Sequence, residues 1–203
     1  MNRKKAALAA AVLAAPALVF GAGYAASALQ DHGKKAPQGD EMKMEMPKPG
    51  PEHMKLAKAA GTWDAEIESW MGGPGAPSEK SKGSETVKAL PGGLWVMSDF
   101  QGEFGGMPFH GHGVNGYDPA KQKYVGTWVD SFGTHLSTME GTVDEKTKTG
   151  TFFMEGPDMT GKMVKHRMVE KWIDDDHRTF EMFMPGPDGK DFQVMKIAYK
   201  RRK

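Results

Sequence analysis

From Gly61 onward, apolar and polar residues alternate along the chain with a period of two. Trp63-Asp64-Ala65-Glu66-Ile67-Glu68, Val164-Lys165-His166-Arg167-Met168 and Phe180-Glu181-Met182-Phe183-Met184 all follow this rhythm. It is the mark of strands with one apolar and one polar face. Turn-forming clusters interrupt it: GGPGAP at 72–77, PGG at 91–93, YDPAKQ at 117–122, DEKTKT at 144–149, GPDMTGK at 156–162, DDDH at 174–177 and GPDGKD at 186–191. Their glycines, prolines and Asx residues supply the dihedrals of tight turns. The segments between them predict ten strands, near 62–70, 81–89, 94–104, 107–116, 122–130, 134–143, 149–155, 162–173, 177–184 and 191–200. Local hairpins close every gap, so sequential strands are antiparallel neighbours. A sandwich needs some longer crossing connections. The predicted fold is therefore all-β: an antiparallel up-and-down barrel of about ten strands, whose closure leaves no exposed edge.

Before Gly61 the pattern changes. Met54, Leu56, Ala57 and Ala60 can share one helical face, which predicts a short helix over Glu52–Ala60 ahead of the first strand. Residues 31–51, DHGKKAPQGDEMKMEMPKPGP, hold almost no large aliphatic or aromatic side chain and read as a polar spacer. Further upstream, Arg3-Lys4-Lys5 precede an uncharged stretch from Ala6 to Gln30, and Ala26-Ser27-Ala28 offers a small-x-small cleavage site. This is an export-signal pattern, and the apolar stretch is also long enough to remain as a membrane anchor. The expected organisation is a signal peptide or anchor helix at 1–28, a disordered polar linker at 29–51 and a barrel domain at 52–203. The expected location is periplasmic or secreted, or anchored and facing out of the cytoplasm.

The phase of the alternation assigns an inner face. Lys165, Arg167 and Lys171 belong outside, which puts Val164, His166, Met168, Glu170 and Trp172 inside. By the same rule Phe180, Met182 and Met184 face inward opposite Thr179 and Glu181, and Met195, Ile197 and Tyr199 face inward opposite Lys196 and Lys200. The interior is thus rich in methionine and aromatic residues, which fill irregular space adaptably. Eight strands enclose a lumen that side chains just fill, so ten strands should leave room for a small ligand unless bulky residues occlude it.

A short helix running into Gly61-Thr62-Trp63 at the first strand resembles the opening of calycin-type barrels such as the lipocalins, in which the tryptophan closes the barrel floor. Lys200, Arg201 and Arg202 are the candidates for a basic partner to Trp63. With PGGLWVMSDFQGEFGGMPFHGHGVNGYDPAKQKYVGTWVDS at 91–131, THLSTMEGTVDEKTKT at 134–149 and HRTFEMFMPGPDGKDF at 177–192, the chain resembles a bacterial family known as domain of unknown function 1579 over roughly residues 47–200. The resemblance implies a calycin-like barrel with Gly61 and Trp63 in structural roles. It supplies no activity and no catalytic residues.

Composition narrows the chemistry. Lys+Arg 27 against Asp+Glu 26 gives a formal charge of +1, without the basic excess that a nucleic-acid partner requires. Removal of 1–28 leaves 24 basic against 26 acidic residues. Cys 0 excludes disulfides, thiolate metal sites, a cysteine nucleophile and a lipid-modified cysteine. Gly111, Gly113 and Gly116 form no phosphate loop, because no Gly-Lys-Ser/Thr follows. The Gly-x-Ser-x-Gly and His-Glu-x-x-His signatures are also missing.

The polar constellation lies mid-domain. His110 and His112 leave one strand face about 7 Å apart, a spacing that suits shared metal ligation or two donors to one anion. Strand register decides whether Asp99, Trp128, Asp130, His135 and His166 share their volume or are scattered. The plain alternative is a solvated pair at a barrel rim. No cofactor is required; a metal would be zinc or copper, with His110, His112 and His135 as the candidate ligands. Met42-x-Met44-x-Met46 with His53 offers thioethers to reduced copper, although methionines in a spacer are commonly compositional.

The preferred reading is a non-catalytic barrel that binds a small, partly apolar molecule, with His110, His112, Trp128, His166, Met168, Trp172, Met182 and Tyr199 as candidate contacts. The second reading is an enzyme or metal-dependent protein using the His110/His112 face. The third is a cell-envelope interaction domain with no ligand cavity. Membrane contact is expected only through the amino-terminal segment. Fractionation of the native host should place the protein outside the cytoplasm or in the membrane, and a soluble full-length form confined to the cytoplasm would refute the export reading.

Overall fold

Each hairpin turn releases the chain back along the strand it has just left, and nine such reversals between ten strands generate the architecture. The structure, a computed structural model, describes residues 45–203 apart from 71, 159 and 187. The predicted signal peptide, its cleavage site near Leu29 and most of the linker lie outside the described residues.

One helix, α1 (Pro51–Ala57), precedes β1 (Gly61–Ser69), β2 (Glu79–Ala89), β3 (Trp95–Phe104), β4 (Met107–Asp118) and β5 (Lys123–Asp130). There follow β6 (Ser137–Asp144), β7 (Thr149–Pro157), β8 (Met163–Trp172), β9 (His177–Pro185) and β10 (Asp191–Arg201). Every strand pairs antiparallel with its chain neighbour, and β1 pairs with β10 from Trp63↔Arg201 to Ser69↔Met195, closing the barrel. The fold is the predicted closed ten-stranded antiparallel barrel.

Element ends depart from expectation where side chains claim the backbone. The helix stops at Ala57 rather than Ala60, because the amides of Lys58, Ala59 and Ala60 bond back only three residues, to Lys55 O, Leu56 O and Ala57 O, and the carbonyls of 58–60 turn to other partners. Ala59 O accepts the Trp63 indole N–H at 2.9 Å, while Ala60 O and Lys58 O accept Arg201 Nη1 and Nη2 at 2.6 and 2.8 Å. Strand β6 starts at Ser137 rather than 134, because residues 131–136 form a loop whose first turn is capped by Asp130 Oδ1 accepting Phe132 N–H at 2.9 Å. His53 is buried in α1, accepts Gly50 N–H at 3.0 Å and stands edge-on to Tyr117. It is thereby committed to holding α1 against β4.

The predicted phase holds along β8, β9 and β10. His166 and Met168 are buried while Lys165 and Lys171 are exposed, and Ile197 and Tyr199 are buried while Lys196 and Lys200 are exposed. A bulge at Val194 shifts the register between Gln193 and Met195, so Met195 still pairs with Met182 on the inner face.

The floor is built around Trp63, which has 0% exposure. Trp172 meets it edge-to-face at 5.7 Å, and the Arg201 guanidinium lies 4.1 Å from the ring centroid. Arg201 is therefore the basic partner. Gly61, at φ +134, sits where a Cβ would lie 2.7 Å from Arg201 Nη1, so glycine is needed for both backbone and space. Trp63→Ala should cost roughly 3–5 kcal/mol, the penalty of emptying a large aromatic site. Urea unfolding will measure it, and a loss below about 1 kcal/mol would refute the floor assignment.

Candidate functional site

The lumen has three levels, set by the inward positions of successive strands. Just above the Trp63 floor, Arg178 of β9 donates from Nη1 to Glu170 Oε1 of β8 at 3.1 Å and from Nη2 to Glu85 Oε2 of β2. Its guanidinium also lies 3.9 Å from the Tyr199 ring centroid and 4.8 Å from that of Trp63. Burial works against the charge on Arg178, but Glu85 and Glu170 outweigh it and raise the Arg178 pKa. Burial likewise pushes the Glu85 carboxyl up, against the opposing pull of Arg178. Glu170 differs from both in being 29% exposed.

The middle level is apolar. Cross-strand register brings Phe152 opposite Met168 and Met168 opposite Met182, with Met182 paired to Met195. On the opposite wall Trp128 lies flat against β4. A Cβ added at Gly111 would sit 2.1 Å from its Cζ2, and one at Gly113 would sit 3.3 Å from its Cε3. The inward glycines thus let the indole lie along the wall instead of standing into the centre. Its N–H donates to Asp130 Oδ2 at 3.0 Å.

The mouth carries His166 and a ladder of rings in which Phe109 packs on Phe104 at 4.9 Å and on Phe132 at 5.1 Å. His166 Nε2 is 3.3 Å from Gly156 O, and burial lowers the imidazole pKa below its ordinary 6.5. The ring is therefore neutral at pH 7. Beside the mouth, the 131–136 loop with Pro157 and Met163 borders an open cavity of about 480 Å³.

Six of the eight candidate ligand contacts face this interior: Trp128, His166, Met168, Trp172, Met182 and Tyr199. His110 and His112 do not. The inward positions of β4 are Gly111 and Gly113, so the two imidazoles leave the outer wall on one face, and placing them among the lumen contacts is corrected accordingly. His112 is 60% exposed and pairs through Nδ1 with Asp99 Oδ1 on the adjoining β3. Asp130 lies inside, His166 is buried within the barrel and His135 is in the mouth loop. The candidate metal set of His110, His112 and His135 is thus divided between outer wall and mouth. Among the described residues, no group of three His, Cys, Asp or Glu side chains stands at metal-holding distance.

Glu85 and Arg178 were not singled out from the sequence. Their signal is the phase: Arg178 lies in step with Phe180, Met182 and Met184, and Glu85 with Val87. A charge in step with a buried set marks an internal ion pair.

The closed ten-stranded meander with a helix-capped, tryptophan-plugged floor defines a calycin-like barrel. The chain belongs to the family described as a protein of unknown function (DUF1579), whose model spans residues 48–201. Among solved structures it is similar to Rv2717c from M. tuberculosis, with TM-score 0.58 and 13% identity over 76% of this chain and 99% of that one. It is also similar to the S-type phycobiliprotein lyase CPES from Guillardia theta, with TM-score 0.49 and 13% identity over 76% and 99% of the two chains. At these identities the likeness concerns the fold. No curated protein matches the chain.

Arg178→Met should destabilise the barrel by about 3–5 kcal/mol, because it strands a buried carboxylate. Adding Glu85→Gln should recover a substantial part of that loss. A double-mutant cycle by urea unfolding tests this, and strictly additive losses would show that the two groups do not act as a pair.

Proposed function

We propose that the protein is an exported barrel that binds a small, partly apolar molecule in its lumen and catalyses no reaction on it. One observation carries this reading. Trp128, Met139, Phe152, Phe180 and Met182 lie on the inner face of a closed barrel, yet each is only half-buried. A filled core would cover such side chains, so their residual exposure supports an accessible lumen lined with apolar surface. Ten strands provide the girth, and rings laid flat over inward glycines take up less of the centre than rings standing into it would, which supports the reading. The Glu170 carboxylate at the lower level supports a polar contact for one end of the molecule.

Export rests on Arg3-Lys4-Lys5 and the uncharged Ala6–Gln30 stretch. The catalytic alternative on the His110/His112 face rests on the exposed His112–Asp99 pair, which lies on the outer wall away from the lumen.

An environment-sensitive apolar fluorophore should bind the folded protein after any retained ligand has been stripped. Met182→Trp, which fills the middle level, should weaken binding tenfold or more, whereas Val129→Trp on the outer wall should leave it unchanged. Equal binding to both variants, or none to the stripped parent, would overturn the reading.

A further inference from the structure

The mouth level holds a second juxtaposition, which shares His166 and Met168 with the candidate lumen contacts and adds Met154 and Met184 to them. Inward residues of four adjacent strands form a row in which Met139 of β6 pairs with Met154 of β7, and Met154 pairs with His166 of β8. The β8–β9 ladder ends at Met168↔Met182 and Arg167↔Phe183, and the same register continued by one step would bring Met184 of β9 level with His166. Met168, two positions along β8, stands directly below the imidazole on the same face. His166 is thus flanked by a thioether on each neighbouring strand and by a third on its own, and all four residues are less than a tenth exposed.

The imidazole has a free electron pair. Gly156 O is a carbonyl and can only accept, so the ring proton is on Nε2. Nδ1 is left as a buried acceptor with no hydrogen-bond partner among the described residues. An unpaired buried acceptor carries a desolvation cost that a cation would relieve. Thioethers are soft donors that bind copper(I) and offer little to zinc, calcium or magnesium. The Met154 methyl and His166 Cε1 both lie 3.7 Å from the point where a Gly156 Cβ would stand, so these two side chains converge on the same glycine.

We propose that His166 Nδ1 and the sulfurs of Met154, Met168 and Met184 form a binding site for copper(I). The ion enters as the monovalent species and no redox step is involved. Its charge sits among neutral donors, which suits a soft monovalent cation and disfavours a divalent one. The site is in the wall near the mouth and does not depend on lumen binding of an apolar molecule.

The test is an anaerobic titration of the full chain with copper(I) against a competing chelator. Met42, Met44 and Met46 form a second possible soft set, so the parent for this experiment carries Leu at all three positions. This parent should retain one copper(I) per chain, with an X-ray absorption spectrum showing one nitrogen and two or three sulfur donors. Met154→Leu with Met184→Leu keeps the packed volume, so the thermal midpoint should move by only a few degrees while copper affinity falls at least tenfold. His166→Leu should lose copper and, by removing the unpaired acceptor, melt no lower than its parent. Retention of copper at full affinity by both barrel variants, or loss of all copper with the linker methionines, would overturn the proposal. Fluorophore binding to the same variants reports separately on the lumen.

Discussion

Everything above the floor depends on how β10 returns to β1. Ten antiparallel strands can spread as an open sheet with two bare edges, or close if the last pairs with the first. Here the pairing begins at Trp63↔Arg201, so the residues that complete the sheet also plug it. Arg201 binds Lys58 O and Ala60 O, covers the Trp63 ring, and holds Asp175 O through Nε at 3.0 Å. One guanidinium thereby joins the pre-barrel turn, the first strand, the β8–β9 turn and the last strand. Its long reach and planar fork make this possible, and lysine has neither property.

A second guanidinium, Arg178, performs a different task just inside the same floor. Buried ion pairs contribute little net stability, because desolvation offsets their attraction. The role of this one is positional: two carboxylates on β2 and β8 and rings on β1 and β10 converge on it, tying strands from both sides of the closure. With two acids around one base, the floor of the lumen is polar and leans negative. That leaves an apolar belt between a charged base and a mouth of rings and imidazole.

The architecture was largely legible in the sequence because period-two alternation and turn chemistry are local. Ten strands, their hairpin order, and the inner faces of β8, β9 and β10 follow from neighbours along the chain. The basic partner of Trp63 could be narrowed to three residues but not chosen, since the choice depends on how Gly61 and α1 meet the last strand. His110 and His112 show the same limit from the other side. Alternation puts them on one face, but only Gly111 and Gly113, packed under Trp128, decide that this face is outside. Glu85 and Arg178 carried a phase signal, yet the pairing of residues 93 apart in the chain requires closure to be known first.

The wall glycines explain why a barrel lined with so many large residues need not be full. Gly111 and Gly113 take the flat of Trp128, and Gly141 and Gly150 take the ring of Phe152, where an added Cβ would lie 2.6 and 2.5 Å from ring carbons. In each case an aromatic ring is stored along the strand next to it. β8 and β9, which adjoin β7, have no inward glycine and carry Met168, Met182 and Met184 beside Trp172 and Phe180; the unbranched methionine chains can bend toward or away from the axis. Rings laid along β4 and β7 thus stand beside thioethers that can adjust. Such a lumen would discriminate by the flat dimension of a ligand more strictly than by its length or branching.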